Sequence, residues 1–275
     1  MAGKAEQKLY WSQSAAAMER WLPVSRQASG RLVERMISLS NIRPRSNVLD
    51  IATGIGDPAI DIARSNPSAR VVGIDISPER LQVARKRSIE EGLGNTEFVE
   101  GDFEEMQLDN HFDAVFCKWG LMFFADVPKA IRKVHSILRP GGTFTAAVWA
   151  EKSQVHSTKM TSDLLALLEI APPPQVVDPF RFSDHSKLAG MLSAAGFAGT
   201  SVEAVSVDYR YESIELLQEF LYDANYTFRE ALSLAKDGPG KAEVEKAIRE
   251  AARPYMNRLA VVLPNKSILL HCTRP

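Results

Sequence analysis

The 275-residue sequence predicts an α/β fold built on a mainly parallel, doubly wound sheet, and three observations carry that prediction. Short β-branched runs alternate with helical patterns from Val48 to Trp149. The first run passes into a turn with two glycines, Gly54 and Gly56, and then into a helix. An apolar run, "KSILLHC", follows a mostly helical segment near the end of the chain. Alternation at this spacing is the signature of βαβ units.

Taken in order, "LYWSQSAAAMERWLP" is helical, with Tyr10, Trp11, Met18 and Trp21 on overlapping faces. "NVLDIA", "RVVGID", "TEFVEG", "FDAVFC" and "TFTAAVW" are five strands, with helices at "DPAIDIARSN", "SPERLQVARKRSIEEG" and "DVPKAIRKVHSILRPGG". Ser77 and Pro78 supply an N-cap and a first helical residue, and Pro140-Gly141-Gly142 stops the helix that carries Ile131, Val134 and Leu138. Further on, "HSTKMTSDLLALLEI" and "SDHSKLAGMLSAAGF" are helices flanking the proline-rich connection "APPPQVVDPFRF", where the prolines mark a hinge. "TSVEAVSVDYRY" alternates as one strand, and two helices, Ile214 to Lys236 and Lys241 to Met256, are separated by "DGPG". Those helices are expected over the carboxyl edge of the sheet.

Thirty-three basic residues against thirty-four acidic leave a formal charge of -1, which gives nucleic acid and anionic membrane surfaces no electrostatic hold. A small-molecule partner is expected. Cys117 and Cys272, both in apolar runs, suit a reducing compartment and not a disulfide framework. No run approaches the roughly 18 apolar residues of a membrane span, and "MAGKAEQKLYWSQ" has no apolar signal core. The chain is read as soluble, unprocessed and cytoplasmic, without stable membrane insertion. Its oligomeric state is not legible. No His, Cys, Asp and Glu grouping has metal-site spacing, and no metal is expected.

Gly54, Gly56 and Ala59 satisfy a loose G-x-G-x-x-G/A pattern, with Asp75 at the end of the second strand. Taken alone, this also describes a dinucleotide site. Three features favour a cationic sulfonium ligand over a pyrophosphate. Asp50, at the end of the first strand, would repel a pyrophosphate but welcome a cationic methionyl group. Gly101, Asp102 and Phe103 end the third strand, where a carboxylate can accept from an adenine amine and a ring can lie against the base. "FDAVFCKWGLMFF" ends the fourth strand as an apolar, aromatic wall.

The ordered set "VLDIATGIGD", "VVGIDISPERL", "FVEGDFEEM", "FDAVFCKWGLMFF" and "LRPGGTFTAAVW" resembles the class I S-adenosylmethionine-dependent methyltransferases, and its wording resembles the ubiquinone and menaquinone biosynthesis branch. The resemblance implies a Rossmann-like seven-stranded sheet, its last strand antiparallel beside the fifth, plus a helical cap. It implies a helical lid over residues 1–46, a core over 47–212 and 263–275, and a cap over 213–262. The implied cofactor is S-adenosyl-L-methionine: Ala52, Gly54 and Gly56 frame its methionyl part, Asp75 takes the ribose diol, Ile76, Asp102 and Phe103 bound the adenine, and Lys118 lends backbone. Residues 159–263 match no substrate-specific motif.

Methyl transfer from a sulfonium is an in-line displacement at an activated carbon, so alignment and exclusion of water dominate. A base is needed only where the acceptor keeps its proton. His156, shortly after Trp149, is the candidate for that role, and Tyr10, Trp11, Trp119 and Trp149 are candidates for the acceptor wall. Tyr209, Tyr211, Phe220, Tyr222, Tyr226, Phe228 and Tyr255 make the cap region rich in aromatics, which suits an apolar or aromatic acceptor. The expected activity is methylation of an oxygen, nitrogen or carbon nucleophile. A nicotinamide-dependent oxidoreductase and a non-catalytic cofactor-binding regulator are the rivals, the latter favoured if the lid or cap fills the acceptor cavity.

Overall fold

The computed structural model describes residues 3–108, 111–174, 178–235 and 238–275. The chain begins with three helices, α1 (Lys4–Gln13), α2 (Ala15–Arg20) and α3 (Leu22–Leu39). It continues through β1 (Asn47–Ile51), α4 (Ala59–Ser65), β2 (Arg70–Asp75), α5 (Pro78–Glu90), β3 (Thr96–Glu100), β4 (Phe112–Lys118), α6 (Val127–Ile137) and β5 (Leu138–Trp149). Then follow α7 (His156–Leu167), α8 (His185–Ala194), β6 (Ala198–Ser206), β7 (Tyr209–Tyr211), α9 (Ile214–Asp223), α10 (Tyr226–Leu234) and α11 (Lys241–Ala252). The last strands are β8 (Met256–Asn257), β9 (Ala260–Leu263) and β10 (Lys266–Thr273).

A seven-stranded sheet runs in the order β3-β2-β1-β4-β5-β10-β6. β1 pairs in parallel with both β2 and β4, and β10 lies antiparallel between β5 and β6, with Ser267 opposite Trp149. Both faces of the central strands are apolar because helices cover both. Leu49 and Ile51 pack toward α6 and α8, while Val48 packs toward α3, α4 and α5. The helices follow from local sequence. In α6, buried Val127, Ala130, Ile131, Val134 and Ile137 recur at helical spacing, and Asp126 caps the start by accepting from Lys129 N–H at 2.9 Å. Ser77 caps α5 in the same way, accepting from Arg80 N–H at 3.2 Å.

Three local expectations change. α6 ends at Ile137, and Leu138 opens β5 in extended geometry, since Arg139 precedes Pro140 and the helical region is disfavoured there. "TSVEAVSVDYRY" breaks at Val207–Asp208 into β6 and β7, and β7 leaves the main sheet to pair with β9 in a three-stranded sheet, β7-β9-β8. The segment expected as cap is therefore partly β-structure. The helix expected from Ile214 divides at Ala224, where the Asn225 side chain accepts from Phe228 N–H at 3.0 Å and starts α10 anew. Residues 175–177 of the proline-rich connection, Lys236, and Asp237 of "DGPG" lie outside the described residues. Among the described residues no helix is long and apolar enough to cross a membrane. Around α7, α9, α10 and α11 a separate apolar cluster forms, with Trp21, Tyr211 and Phe228 inside it.

Candidate functional site

The cleft lies where connections leave β1 and β4 in opposite directions, the place at which open α/β sheets bind ligands. Its floor is the turn after β1. Ala52 (φ 56°) and Gly54 (φ 57°) take the left-handed conformation, which turns the chain sharply under the cleft. Gly54 leaves open space above it: an added Cβ would meet nothing nearer than Arg80 Nη1 at 3.8 Å. Gly56 (φ 92°) differs, because a Cβ there would lie 2.7 Å from Ile60 Cδ1 and 3.2 Å from the Ala84 Cβ. Gly56 is absent from the cleft lining, so its part is close packing of α4 and α5.

Four backbone donors of the turn and the helix start are engaged within the protein. Gly54 N–H donates to Asp75 Oδ2 at 2.8 Å and Ala59 N–H to Asp50 Oδ2 at 3.2 Å. Gly56 and Asp57 N–H both donate to Thr53 O, at 2.9 and 3.1 Å. Asp50 is fully buried beneath the turn, accepts from Thr53 Oγ1 at 2.5 Å, and does not line the cleft. Burial pushes its carboxyl up to about 7, against the Thr53 hydrogen bond and with repulsion from Asp57 adding to the rise. The expectation that Asp50 faces a cationic ligand is therefore corrected: the side chain of this strand residue points into the interior.

Asp57 lines the cleft instead. Its Oδ2 pairs with Lys118 Nζ at 2.6 Å, and the two side chains are 10% and 6% exposed. Burial alone would raise the Asp57 carboxyl, but Lys118, with Arg87 and Arg26 behind it, holds it below the usual range. Lys118 Nζ also sits 4.3 Å from the centre of the Trp119 ring. The contribution of Lys118 thus goes beyond backbone.

Asp75, Ile76, Gly101, Asp102 and Phe103 border the other end of the cleft. Asp75 is buried and also accepts from Ser77 N–H at 2.9 Å; burial raises its carboxyl, opposed by the Arg80 charge. Asp102 accepts from Glu104 N–H at 2.9 Å and pairs with Lys4 of α1. Phe103 stacks on Phe124 at 6.1 Å. Above them α1 closes over the strand ends: Arg80 donates from Nε to Trp11 O at 3.0 Å and from Nη2 to Ser14 Oγ at 2.8 Å, with its guanidinium 4.6 Å from the Trp11 ring centre.

The cleft as a whole holds about 1600 Å3, and beyond the turn its lining is aromatic. Trp119 and Trp149 stack at 4.3 Å with 13° between planes, and Trp119 Nε1 donates to Ser267 Oγ at 3.0 Å. Trp11 meets Phe123 at 4.8 Å, and Tyr10 meets Tyr226 of α10 at 4.6 Å. Tyr209, Tyr211, Phe220 and Tyr222 complete the aromatic lining, while Phe228 lies in the cap's own core. Burial pushes the Tyr209 hydroxyl up to about 12, against a hydrogen bond from Ser25. α1 and the cap line this space without filling it.

His156 is the other departure. As the first residue of α7 it turns outward, with Nδ1 3.4 Å from the Tyr255 hydroxyl, while Ser157 and Thr158 reach the cleft. Neighbouring helical residues point about 100° apart, so one position decides which side chain faces inward. Sequence reasoning passed over Arg80 and Asp57. Arg80 reads as an ordinary first-turn helix residue, and its role comes only from α1 folding back; Asp57 was within reach, as a carboxylate directly after the second glycine.

Residues 42–196 match the model of a family described as a methyltransferase domain. Among curated proteins, the ubiquinone/menaquinone biosynthesis C-methyltransferase of Ectopseudomonas oleovorans is 42% identical over 109 residues, covering 38% of this chain and 64% of that protein. The corresponding protein of Pseudomonas fluorescens (strain SBW25) is 36% identical over 127 residues, covering 45% of this chain and 50% of its relative. The chain therefore spans only 64% and 50% of the length of these relatives. Among solved structures, the YcgJ protein of Bacillus subtilis is similar with a TM-score of 0.56 at 22% identity, covering 89% of this chain and 98% of that one. A phosphoethanolamine N-methyltransferase of Haemonchus contortus in complex with S-adenosyl-L-methionine is similar with a TM-score of 0.56 at 15% identity, covering 94% and 57%. Both structures share the fold.

Proposed function

The chain belongs to the methyltransferase-domain family, and from that premise we propose that it transfers a methyl group from S-adenosyl-L-methionine to an oxygen, nitrogen or carbon nucleophile of a small, predominantly apolar or aromatic molecule. The observation that carries this reading is the state of the glycine turn. Its N–H groups at Gly54, Gly56, Asp57 and Ala59 are occupied by Asp75, Thr53 and Asp50. With those four groups taken, the turn offers a dinucleotide pyrophosphate few of the backbone donors it needs. A sulfonium nucleoside needs instead a close approach and nearby carboxylates, which Gly54, Asp57, Asp75 and Asp102 offer.

The residues present fit the cofactor. Open space over Gly54 leaves room at the floor, and Asp57, which lines the cleft, keeps a buried Oδ1 with no hydrogen-bond partner among the described residues. In this reading Asp75 accepts from the ribose hydroxyls, Ile76 and Phe103 sandwich the adenine, and Asp102 accepts from its amine. When bound, the cofactor supplies an activated methyl carbon. The protein supplies alignment and dryness: Trp119 and Trp149 orient the acceptor, while α1 and α2 act as lid and α9 and α10 as cap to exclude water, α3 belonging instead to the core packed on the sheet. Pockets for one ligand commonly measure about 300–1,000 Å3, and the larger space here suits a cofactor beside a sizeable acceptor. Open space in the acceptor lobe argues against the non-catalytic rival.

Thermal stabilisation by S-adenosylhomocysteine, with none by NAD or NADP, is the expected result; the reverse pattern would sink the reading. Transfer of radiolabelled methyl to a panel of phenols, quinols and apolar amines then identifies the acceptor class.

A further inference from the structure

Buried ion pairs are poor stabilisers, because removing two charges from water costs about as much as their attraction returns. Asp57 and Lys118 form such a pair, and they do so at the wall of a ligand cleft. The pair is also incompletely satisfied. Asp57 Oδ1 is buried with no hydrogen-bond partner among the described residues. Lys118 carries three N–H donors, and Asp57 Oδ2 and the Trp119 ring face are its neighbours. One acceptor and spare donors therefore sit side by side in a dry corner.

We propose that Asp57 and Lys118 form a clamp for a zwitterionic α-amino acid group, the methionyl end of the cofactor, with Asp57 taking its ammonium and Lys118 its carboxylate; this rests on the methyltransferase reading. A lone anion or cation bound there would leave an uncompensated buried charge, whereas a zwitterion meets the pair with opposite signs and keeps the corner neutral. Position favours the same ligand. Asp57 N–H is hydrogen-bonded to Thr53 O in the glycine turn, and Gly54 of that turn is bonded to Asp75 on the far side. A ligand with its ribose at Asp75 crosses Gly54 and brings its other end to Asp57 and Lys118. The clamp moves the role expected of Asp50 to a carboxylate that lines the cleft.

The test uses the full chain and two probes in isothermal titration: S-adenosylhomocysteine, which carries the amino acid end, and 5′-methylthioadenosine, which lacks it. The charge-neutral double variant Asp57→Asn/Lys118→Gln avoids stranding one buried charge. It is expected to bind S-adenosylhomocysteine at least about tenfold more weakly than wild type while binding 5′-methylthioadenosine within about twofold. Equal S-adenosylhomocysteine affinity in both proteins overturns the clamp and leaves the cofactor reading standing. Parallel loss of both probes also overturns it, assigning the pair to support of the fold. No S-adenosylhomocysteine binding by the wild type overturns the methyltransferase reading, and the clamp with it.

Discussion

The carboxylate of Asp75 holds the backbone N–H of Gly54 at 2.8 Å, tying the end of β2 to the turn that follows β1. The same side chain holds Ser77 N–H at 2.9 Å, so it shapes two loops before it meets any ligand. Asp75→Ala is expected to weaken S-adenosylhomocysteine binding by at least ~1 kcal/mol and to lower stability by about 1–3 kcal/mol, because two N–H groups lose their acceptor. Titration calorimetry and urea unfolding measure the two effects. An unchanged dissociation constant would show that the ribose lies elsewhere.

The two glycines of the turn separate by experiment. Gly56→Ala places a Cβ 2.7 Å from Ile60 Cδ1 at φ 92° and should cost about 1–3 kcal/mol of stability. Gly54→Ala meets no atom nearer than 3.8 Å at φ 57°, so backbone strain of roughly 1–2 kcal/mol is its main structural cost. Its larger effect is expected on cofactor affinity, since the methyl group enters the cleft. A loss of S-adenosylhomocysteine affinity in Gly56→Ala as large as in Gly54→Ala would contradict the division.

Asp50 predicts a pH dependence. Its folded-state carboxyl sits at about 7, above an unfolded value near 3.8, so the folded protein binds the extra proton between them. Stability contributed by this residue therefore falls as pH rises through that window and is flat above it. Asp50→Asn removes the effect. Relative to wild type, the variant should gain on the order of 2 kcal/mol between about pH 5.5 and about pH 8. A difference independent of pH, in urea unfolding without ligand, would refute it.

Arg80 holds α1 through Trp11 O, Ser14 Oγ and the Trp11 ring. In Arg80→Met those contacts vanish, and amide hydrogen exchange in residues 4–13 should quicken by about tenfold or more. Exchange as slow as in wild type would assign closure of α1 to Lys4 and Asp102 instead.

Trp149→Ala removes half of the stacked pair with Trp119. Once an acceptor is known, its KM should rise about tenfold with S-adenosylhomocysteine affinity unchanged, as aromatic contacts of this kind contribute ~0.5–1.5 kcal/mol beyond area burial. A fall in cofactor affinity of equal size would place Trp149 on the donor side.

The end of the cleft bordered by Gly54, Asp75 and Asp102 was legible because it is assembled from strand ends. A strand's period of two and a helix's period of 3.6 put Gly54, Asp75 and Asp102 at predictable places, and the parallel order of β1 to β5 brings those places together. Asp50 escaped the same logic by one residue: a strand alternates its side chains, and at position 50 that alternation points beneath the turn. His156 escaped it by one helical step. The break between β6 and β7 was invisible because alternation continues through it, and only pairing with β9 draws Tyr209 to Tyr211 into another sheet.

By itself, then, the sequence determined the layered α/β core, the strand ends that face the cleft and the family to which the chain belongs, all products of short-range periodicity and motif order. The tertiary structure decided the rest. The pairing of Asp57 with Lys118, the hold of Arg80 on α1, and the aromatic cavity formed by Trp149, Tyr209 and Tyr226 join residues far apart in the chain. Such contacts follow from how whole elements pack, and local sequence carries no period that reports them.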